Sequence, residues 1–191
     1  MPPEPLILAS ASPQRRAILE QAGIVFVVRP ADVEEETAGE PRAVAEENAR
    51  RKAAAVAAPG ALVLGADTLV TIGGEILGKP RDAAQAREFV ARLAGRTHEV
   101  VGGIALAEEG AVAQTAVVVT RVAFRAADDA LLDWYVGTGE WRGRAGGYAI
   151  QGAGAVLVEA IEGDYLNVVG LPLARLLTLR PELLPAAAHP L

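Results

Sequence analysis

The chain has 191 residues and a formal net charge of −6, with 51% hydrophobic and 22% charged residues. A chain of this length is expected to fold as one domain, here taken as residues 1–191. The acidic balance argues against nucleic acid as a partner, because binding to the phosphate backbone requires a basic surface.

Cysteine is absent, and the only histidines are His98 and His189. Disulfide frameworks, cysteine-bound zinc, thiol nucleophiles and histidine-rich metal sites are therefore excluded. The first residues have no basic segment followed by a long apolar run, so no secretory signal is predicted. No apolar stretch approaches the length of a membrane span, which predicts a cytoplasmic protein without a membrane partner.

The predicted elements alternate along the chain between short apolar strands and helices. Strands are predicted at 6–9, 24–28, 62–65, 69–72, 75–78, 99–107, 115–124 and 155–161, and helices at 14–22, 41–58, 82–93, 128–136 and 171–180. Gly73 and Gly74 give a two-residue hairpin signal between two of the strands. Alternating strands and helices predict an α/β fold, and the hairpins predict a mixed sheet.

Three polar residue types are nearly missing. The only lysines are Lys52 and Lys79 beside 16 arginines, the only serines are Ser10 and Ser12, and the only asparagines are Asn48 and Asn167. A compositional bias towards Ala, Arg, Gly and Pro explains the scarcity, with chance as the competing explanation for which positions survive. Under that bias the surviving lysines and serines are candidates for positions where arginine or alanine will not serve, since an ammonium and a guanidinium are not interchangeable at a tight phosphate contact.

A phosphate-binding site is predicted where the first strand meets the first helix. Ser10 and Ser12 precede Pro13, so free N–H groups and the positive end of the helix face outward there. Arg15 lies in the first turn, where an anionic ligand would balance its charge. The alternative is that Arg16 merely pairs with Glu20 one turn later and that Arg15 is solvated.

Asp67, Lys79 and Lys52 are further candidates. Asp67 is predicted at the carboxyl end of a strand, where it could hold a metal or take a proton from water, and the alternative is a capped turn. Lys79 lies on a stiff corner before Pro80. Lys52 shares its helix with two arginines, so a solvated basic face is the alternative for it. No P-loop or Rossmann glycine motif is present.

Several longer motifs resemble one known family from about residue 6 to residue 177. The segments LILASASPQRRAIL, VLGADTLV, GEILGKPRDAAQA, GRTHEV, RAGGYAIQGAGAVLVEAIEGDY and VVGLPL are similar to those of the Maf family of nucleoside-triphosphate pyrophosphatases. The resemblance implies a mixed α/β fold with an elongated sheet flanked by helices. It also implies two lobes with an active-site cleft between them, and a homodimer.

The same resemblance implies hydrolysis of a nucleoside triphosphate to the monophosphate and pyrophosphate with Mg²⁺ or Mn²⁺. Asp67 corresponds to the proposed general base, and Glu35 to an acidic residue that shares the metal with it. The residues that correspond to the family's phosphate contacts are Ser10, Arg15, Lys52 and Lys79.

The G-A-D-T and Y-x-I-Q-G motifs resemble the branch that acts on dTTP and UTP. By that resemblance Thr68 and Gln151 would recognise the pyrimidine, since a hydroxyl and an amide can pair with its polar edge. Gln14 stands where the family has the first of two arginines, which places it with the specificity residues. Two alternatives are a pyrophosphatase for modified nucleotides and a non-enzymatic regulator of septum formation.

Overall fold

The computed structural model describes residues 5–184, whose strands form one seven-stranded sheet with helices on both faces. The strands are β1 Leu6–Leu8, β2 Phe26–Val28, β3 Val63–Ile72, β4 Glu75–Leu77, β5 Thr97–Glu108, β6 Ala111–Phe124 and β7 Val158–Glu162. The α-helices are α1 Pro13–Gln21, α2 Pro41–Ala55, α3 Ala83–Leu93, α4 Asp129–Gly137, α5 Tyr165–Val169 and α6 Leu173–Leu179. His189 lies outside the described residues.

The sheet is mixed, as predicted. Its strand order is β2-β1-β3-β5-β6-β7, and β4 pairs separately with β3. The β1 strand is parallel to β2 and β3, whereas the other pairings are antiparallel. Among residues 5–184, no helix has both the length and the apolar character needed to cross a membrane.

A gap in the sheet beside β3 positions the site. Pairing with β1 ends at Leu64, and pairing with β4 begins at Val70 on the same edge, because β5 occupies the other edge throughout. The backbone of β3 between these points therefore has no neighbouring strand on one side. Asp67 lies in this stretch and pairs with Gly103 across the opposite edge.

This arrangement corrects the prediction that Asp67 ends a strand and excludes its alternative, a capped turn. The β3 strand continues through Asp67 to Ile72, because the long β5 strand supplies hydrogen-bonding partners along its whole length. What ends near Asp67 is the neighbouring strand β1. The side chain is open to a cleft for that reason, although its own backbone remains in the sheet.

Small residues bring α2 unusually close to the sheet. A Cβ atom on Gly65 would lie 2.1 Å from the carbonyl oxygen of Ala49, and one on Gly103 would lie 2.2 Å from that of Ala45. Larger residues at either glycine would push the helix away. The close approach lets polar side chains on the same face of α2 reach Asp67.

Two apolar clusters lie on either side of the gap and form the two lobes that the resemblance implied. One contains Leu8, Leu19 and Leu64 and is covered by α1 and α6. The other contains Phe89 of α3 and Tyr135 of α4. The strands β3 and β5 run through both clusters, so the lobes share a continuous sheet.

The end of the chain differs from the prediction in two elements. The predicted strand 155–161 is a 3-10 turn over Ala153–Leu157 followed by β7. The helix α5 was not predicted from the sequence. It begins at Tyr165 after the N-cap residue Asp164, whose carboxylate accepts hydrogen bonds from the backbone N–H groups of Leu166 and Asn167.

Candidate active site

A cleft of about 580 Å³ opens between the two lobes, beside the gap in the sheet. Its walls are the start of α1, the open edge of β3 and the segment 143–151 of the second lobe. The remaining wall is the loop 29–40 before α2, here called the acidic loop because it contains Glu34, Glu35 and Glu36. All the site residues predicted from the sequence line it, namely Ser10, Gln14, Arg15, Glu35, Lys52, Asp67, Thr68, Lys79 and Gln151. The tertiary structure therefore brings together residues up to 141 positions apart.

The carboxylate of Asp67 is held from one side by α2. Lys52 Nζ lies 2.7 Å from Asp67 Oδ1, and Asn48 Nδ2 donates a hydrogen bond of 3.0 Å to Oδ2. Asn48 and Lys52 lie four residues apart and therefore share one face of the helix. Each oxygen of the carboxylate has one partner, and lone pairs remain for a further ligand.

Lys52 is buried, which makes its alternative as a solvated basic residue wrong. Its Nζ donates to the carbonyl oxygen of Ala66 at 3.3 Å and lies 2.6 Å from Glu35 Oε1. The Ala66 carbonyl faces the gap where β3 has no neighbouring strand, so Lys52 supplies the missing donor. By contrast, Arg50 makes an exposed ion pair with Glu47 on the outer side of α2.

Glu35 connects the buried pair with the open cleft. Its side chain is 39% exposed, and Lys79 Nζ lies 3.8 Å from its Oε2. Partial burial by itself raises the pKa of Glu35, but the hydrogen bond and charge of Lys52, with the charges of Lys79 and Arg15, outweigh it. The pKa is therefore lower than its ordinary value, and the carboxylate is ionised at neutral pH.

Arg15 is buried at the start of α1 and fixed by three hydrogen bonds. It donates through Nε to the carbonyl oxygen of Gly170 at 2.9 Å, through Nη1 to Ser10 Oγ at 2.9 Å and through Nη2 to Thr68 Oγ1 at 3.2 Å. Burial lowers the pKa of Arg15, while the charges of Asp67 and Glu35 oppose that shift. The three hydrogen bonds hold the guanidinium in place at the wall of the cleft.

The residues beside Arg15 separate into one that faces the cleft and one that does not. Arg16 is exposed and pairs with Glu20 at 2.8 Å, so the structural alternative holds for that arginine. Gln14 lines the cleft, where its Oε1 accepts a hydrogen bond of 3.1 Å from the hydroxyl of Ser12.

The second lobe contributes a different set of side chains. Gln151 is exposed at the cleft, and its amide has no hydrogen-bond partner among the described residues. Tyr148 is buried, lines the cleft and is bonded to His98 Nε2 at 2.8 Å. Burial lowers the pKa of His98 to about 4. His98 is thus a buried structural residue of β5.

Two lining or supporting residues were not assigned a role from the sequence. Asn48 bonds to Asp67, and the one signal that could have selected it is the scarcity of asparagine in the chain. Arg144 lines the second lobe, and its buried Nε has no hydrogen-bond partner among the described residues. A glycine-rich turn, Ala145–Gly147, follows it directly.

The carboxylates of the cleft can be compared with the ligands that a divalent cation requires. Within residues 5–184, no three His, Cys, Asp or Glu side chains come together as a metal site of their own. Glu35 and Asp67 nevertheless lie close together, since Lys52 Nζ contacts one oxygen of each, and both carboxylates retain lone pairs for a cation beside that ammonium. Mg²⁺ usually binds to one or two carboxylates and completes its shell with substrate phosphates and water, so these residues fit.

A mixed α/β sheet with a cleft that gathers Arg15, Lys52 and Lys79 around two carboxylates defines a protein built to hold an anionic ligand. Such a cleft occurs on many folds, and the family is given by sequence comparison. The family model described as Maf-like protein matches residues 5–182, and the chain belongs to the Maf family.

The chain is similar to bacterial and archaeal proteins named dTTP/UTP pyrophosphatase. It is 51% identical to that of Anaeromyxobacter dehalogenans strain 2CP-C over 88% of this chain and 89% of the relative. It is 51% identical to that of Myxococcus xanthus over 91% of this chain and 90% of the relative. It is 47% identical to that of Pyrococcus furiosus over 88% of this chain and 90% of the relative. A solved dITP/XTP pyrophosphatase from Mycobacterium abscessus aligns with a TM-score of 0.41, 18% identity and coverage of 62% and 73%, too weak to bear on fold or activity.

Proposed function

We propose that this chain hydrolyses nucleoside triphosphates, above all dTTP and UTP, to the nucleoside monophosphate and pyrophosphate. One observation carries the proposal: the buried Asp67 carboxylate lies in a cleft beside Lys52 and Glu35, with Arg15 and Lys79 at its walls. Phosphoryl transfer requires positioning and charge neutralisation more than covalent chemistry, and this arrangement supplies both. The names of relatives about 50% identical agree with it.

The triphosphate is held by the start of α1 and by the two lysines. Arg15 has N–H donors beyond the three already used, and Ser10 stands next to its guanidinium. Lys79 is 61% exposed, so its ammonium can move onto the leaving pyrophosphate. Lys52 is fixed between Asp67 and Glu35 and neutralises charge at the reacting phosphate.

Asp67 acts as the general base. Its carboxylate is oriented by Lys52 and Asn48 and retains lone pairs that can accept a proton from water. The water oxygen forms a bond to the α-phosphorus as the bond from that phosphorus to the bridging oxygen breaks. The bridging oxygen leaves with the pyrophosphate, and the proton from water passes to Asp67.

A divalent cation, Mg²⁺ or Mn²⁺, belongs to the proposal as the cofactor. Glu35 and Asp67 would hold it together with phosphate oxygens, and when bound it neutralises the charge of the triphosphate. Glu35 is suited to this because its lowered pKa keeps it ionised.

Recognition of the pyrimidine is assigned first to Gln151. Its amide is exposed in the cleft and can both donate to and accept from the edge of uracil or thymine. The hydroxyl of Thr68 instead donates to the Gly170 carbonyl at 3.2 Å and accepts from Arg15, so Thr68 affects specificity through the position of that arginine. Gln14 lies at the wall near Ser12 and completes the proposed specificity set.

The test is to incubate the purified chain with Mg²⁺ or Mn²⁺ and a panel of nucleoside triphosphates, and to measure monophosphate and pyrophosphate separately. We expect equal amounts of both products, formed fastest from dTTP and UTP. Faster turnover of a modified nucleotide would favour the alternative pyrophosphatase function. Absence of turnover with every nucleotide would favour a regulator that acts only by binding.

A single domain over residues 1–191, a cytoplasmic location, a homodimer and the absence of a nucleic-acid partner remain predictions. The continuous sheet supports the single domain, because β3 and β5 belong to both lobes. Light scattering of the purified chain would measure the mass of the assembly, and fractionation of cells would test the location.

A further inference from the structure

We propose that Asn48 is a positioning residue that couples the acidic loop to the catalytic carboxylate. This inference rests on the proposed function, because it assigns to Asn48 the task of holding Asp67 and Glu35 in their working arrangement. Asn48 lies on α2, one turn before Lys52, and the residue is 1% exposed.

One amide group makes every connection. Asn48 Oδ1 accepts a hydrogen bond of 2.7 Å from the backbone N–H of Glu36, and Nδ2 donates one of 2.9 Å to the backbone carbonyl of the same residue. The same Nδ2 also donates to Asp67 Oδ2 at 3.0 Å. Asn48 therefore fixes both the backbone next to Glu35 and the rotation of the Asp67 carboxylate.

Lys52 holds the side chain of Glu35, but between Pro30 and Gly39 the only backbone hydrogen bonds to described residues are those of Glu36 with Asn48. Residues 29–40 form neither helix nor strand, and Glu34 is exposed. Asn48 holds the backbone of Glu36, and the side chain of Glu36 makes a separate ion pair with Arg51 at the surface. A surface pair of this kind contributes little, whereas the bonds of Asn48 are shielded from water. Lys52 bridges the two carboxylates through their side chains, and Asn48 fixes the backbone from which Glu35 extends.

The role predicts an effect on turnover rather than on substrate binding. Asn48 does not line the cleft, so its loss removes no contact to the nucleotide. Replacing it by leucine, whose side chain has the same branching and number of heavy atoms, removes the hydrogen bonds to Glu36 and Asp67 together. For Asn48→Leu we expect kcat to fall about 10- to 100-fold, as for other residues that orient catalytic groups, with KM changed less than about 3-fold.

Two further variants distinguish the effect of Asn48 on the loop from its effect on the Asp67 carboxylate. Asn48→Asp retains an oxygen that can accept from the Glu36 N–H but replaces the donor beside Asp67 with a second acceptor. Arg51→Ala removes the other support of the loop and leaves the bonds of Asn48 intact. We expect kcat to fall at least as far in Asn48→Asp as in Asn48→Leu, and to stay within about 3-fold of wild type in Arg51→Ala.

Amide hydrogen exchange at Glu36 gives a readout independent of activity. We expect faster exchange in Asn48→Leu than in Asn48→Asp or Arg51→Ala, with circular dichroism confirming that each variant is folded. If the wild type turns over UTP and folded Asn48→Leu does so at the same kcat, the inference is wrong and the proposed function stands. Unchanged exchange in Asn48→Leu, or a rise in KM alone, also overturns it. If the wild type hydrolyses no nucleotide, the proposed function is wrong, and the positioning role of Asn48 in catalysis is wrong with it.

Discussion

Lys52 Nζ lies 2.7 Å from Asp67 Oδ1, and both side chains are more than nine-tenths buried although a cleft opens beside them. Removing two charges from water is costly, so each group depends on its partner. We expect Lys52→Met to destabilise the fold by about 3 kcal/mol, because it leaves a buried carboxylate without its counter-charge. Urea unfolding measures the change.

The double variant Asp67→Asn/Lys52→Met tests whether that cost comes from the pair. It removes both charges, so its free energy of unfolding should exceed that of Lys52→Met. If the loss of unfolding free energy in the double variant equalled the sum of the losses in the two single variants, the contact would contribute nothing.

Asp67→Asn tests the proposed base by itself. The amide keeps the volume of the side chain but cannot accept a proton from water, so we expect kcat to fall about 10²- to 10⁴-fold. The matched control is Asp133→Asn, which removes an exposed partner of Arg87 outside the cleft. Product assays with UTP measure both, and a kcat for Asp67→Asn within 3-fold of wild type would reject the base assignment.

Glu35 should make stability depend on pH. Its pKa in the fold is lower than the ordinary 4.5, so the ionised carboxylate stabilises the fold above that value. This contribution is lost as the pH falls below 4.5 and through the lowered pKa. We expect Glu35→Gln to lose less stability than wild type over that range when Tm is measured against pH.

The neighbouring Glu34 supplies the control for that experiment, because it is exposed and does not line the cleft. Glu34→Gln should keep both the pH dependence and the activity of wild type, whereas Glu35→Gln should also lower kcat/KM. Identical behaviour of the two variants would remove Glu35 from the site.

Gln151 should contribute to binding of the base. Loss of its amide removes one or two hydrogen bonds to the pyrimidine, each contributing about 1 kcal/mol. For Gln151→Ala we expect kcat/KM for UTP to fall about 10-fold. Gln114→Ala, at an exposed position of β6 outside the cleft, is the control, and an unchanged kcat/KM in Gln151→Ala would assign recognition of the base elsewhere.

His98 should remain neutral through the physiological range. Burial lowers its pKa from 6.5 to about 4, so between these values the unfolded chain binds a proton that the fold excludes. Stability that depends on His98 is therefore present above pH 6.5 and is lost as the pH falls towards 4. NMR titration of the ring, assigned with His98→Gln, should give a midpoint near 4, and a midpoint near 6.5 would contradict its burial.

The sequence by itself determined the elements whose signals are local. Ser12 and Pro13 begin α1, with the hydroxyl accepting from the backbone N–H of Arg15, and Gly73 with Gly74 turns the hairpin between β3 and β4. Caps and two-residue turns depend on neighbouring residues alone, so they can be read directly. The scarcity of lysine also singles out Lys52, independently of its burial.

Only the tertiary structure decided why these residues form one site. Asp67 lies within β3 and is open to the cleft because β1 ends at Leu8 and β4 pairs only from Val70 onward, which is a matter of register between distant segments. Lys52 and Asn48 reach the carboxylate because glycines in β3 and β5 let α2 approach the sheet. Register and close packing depend on contacts between residues far apart in the chain, and no local pattern encodes them.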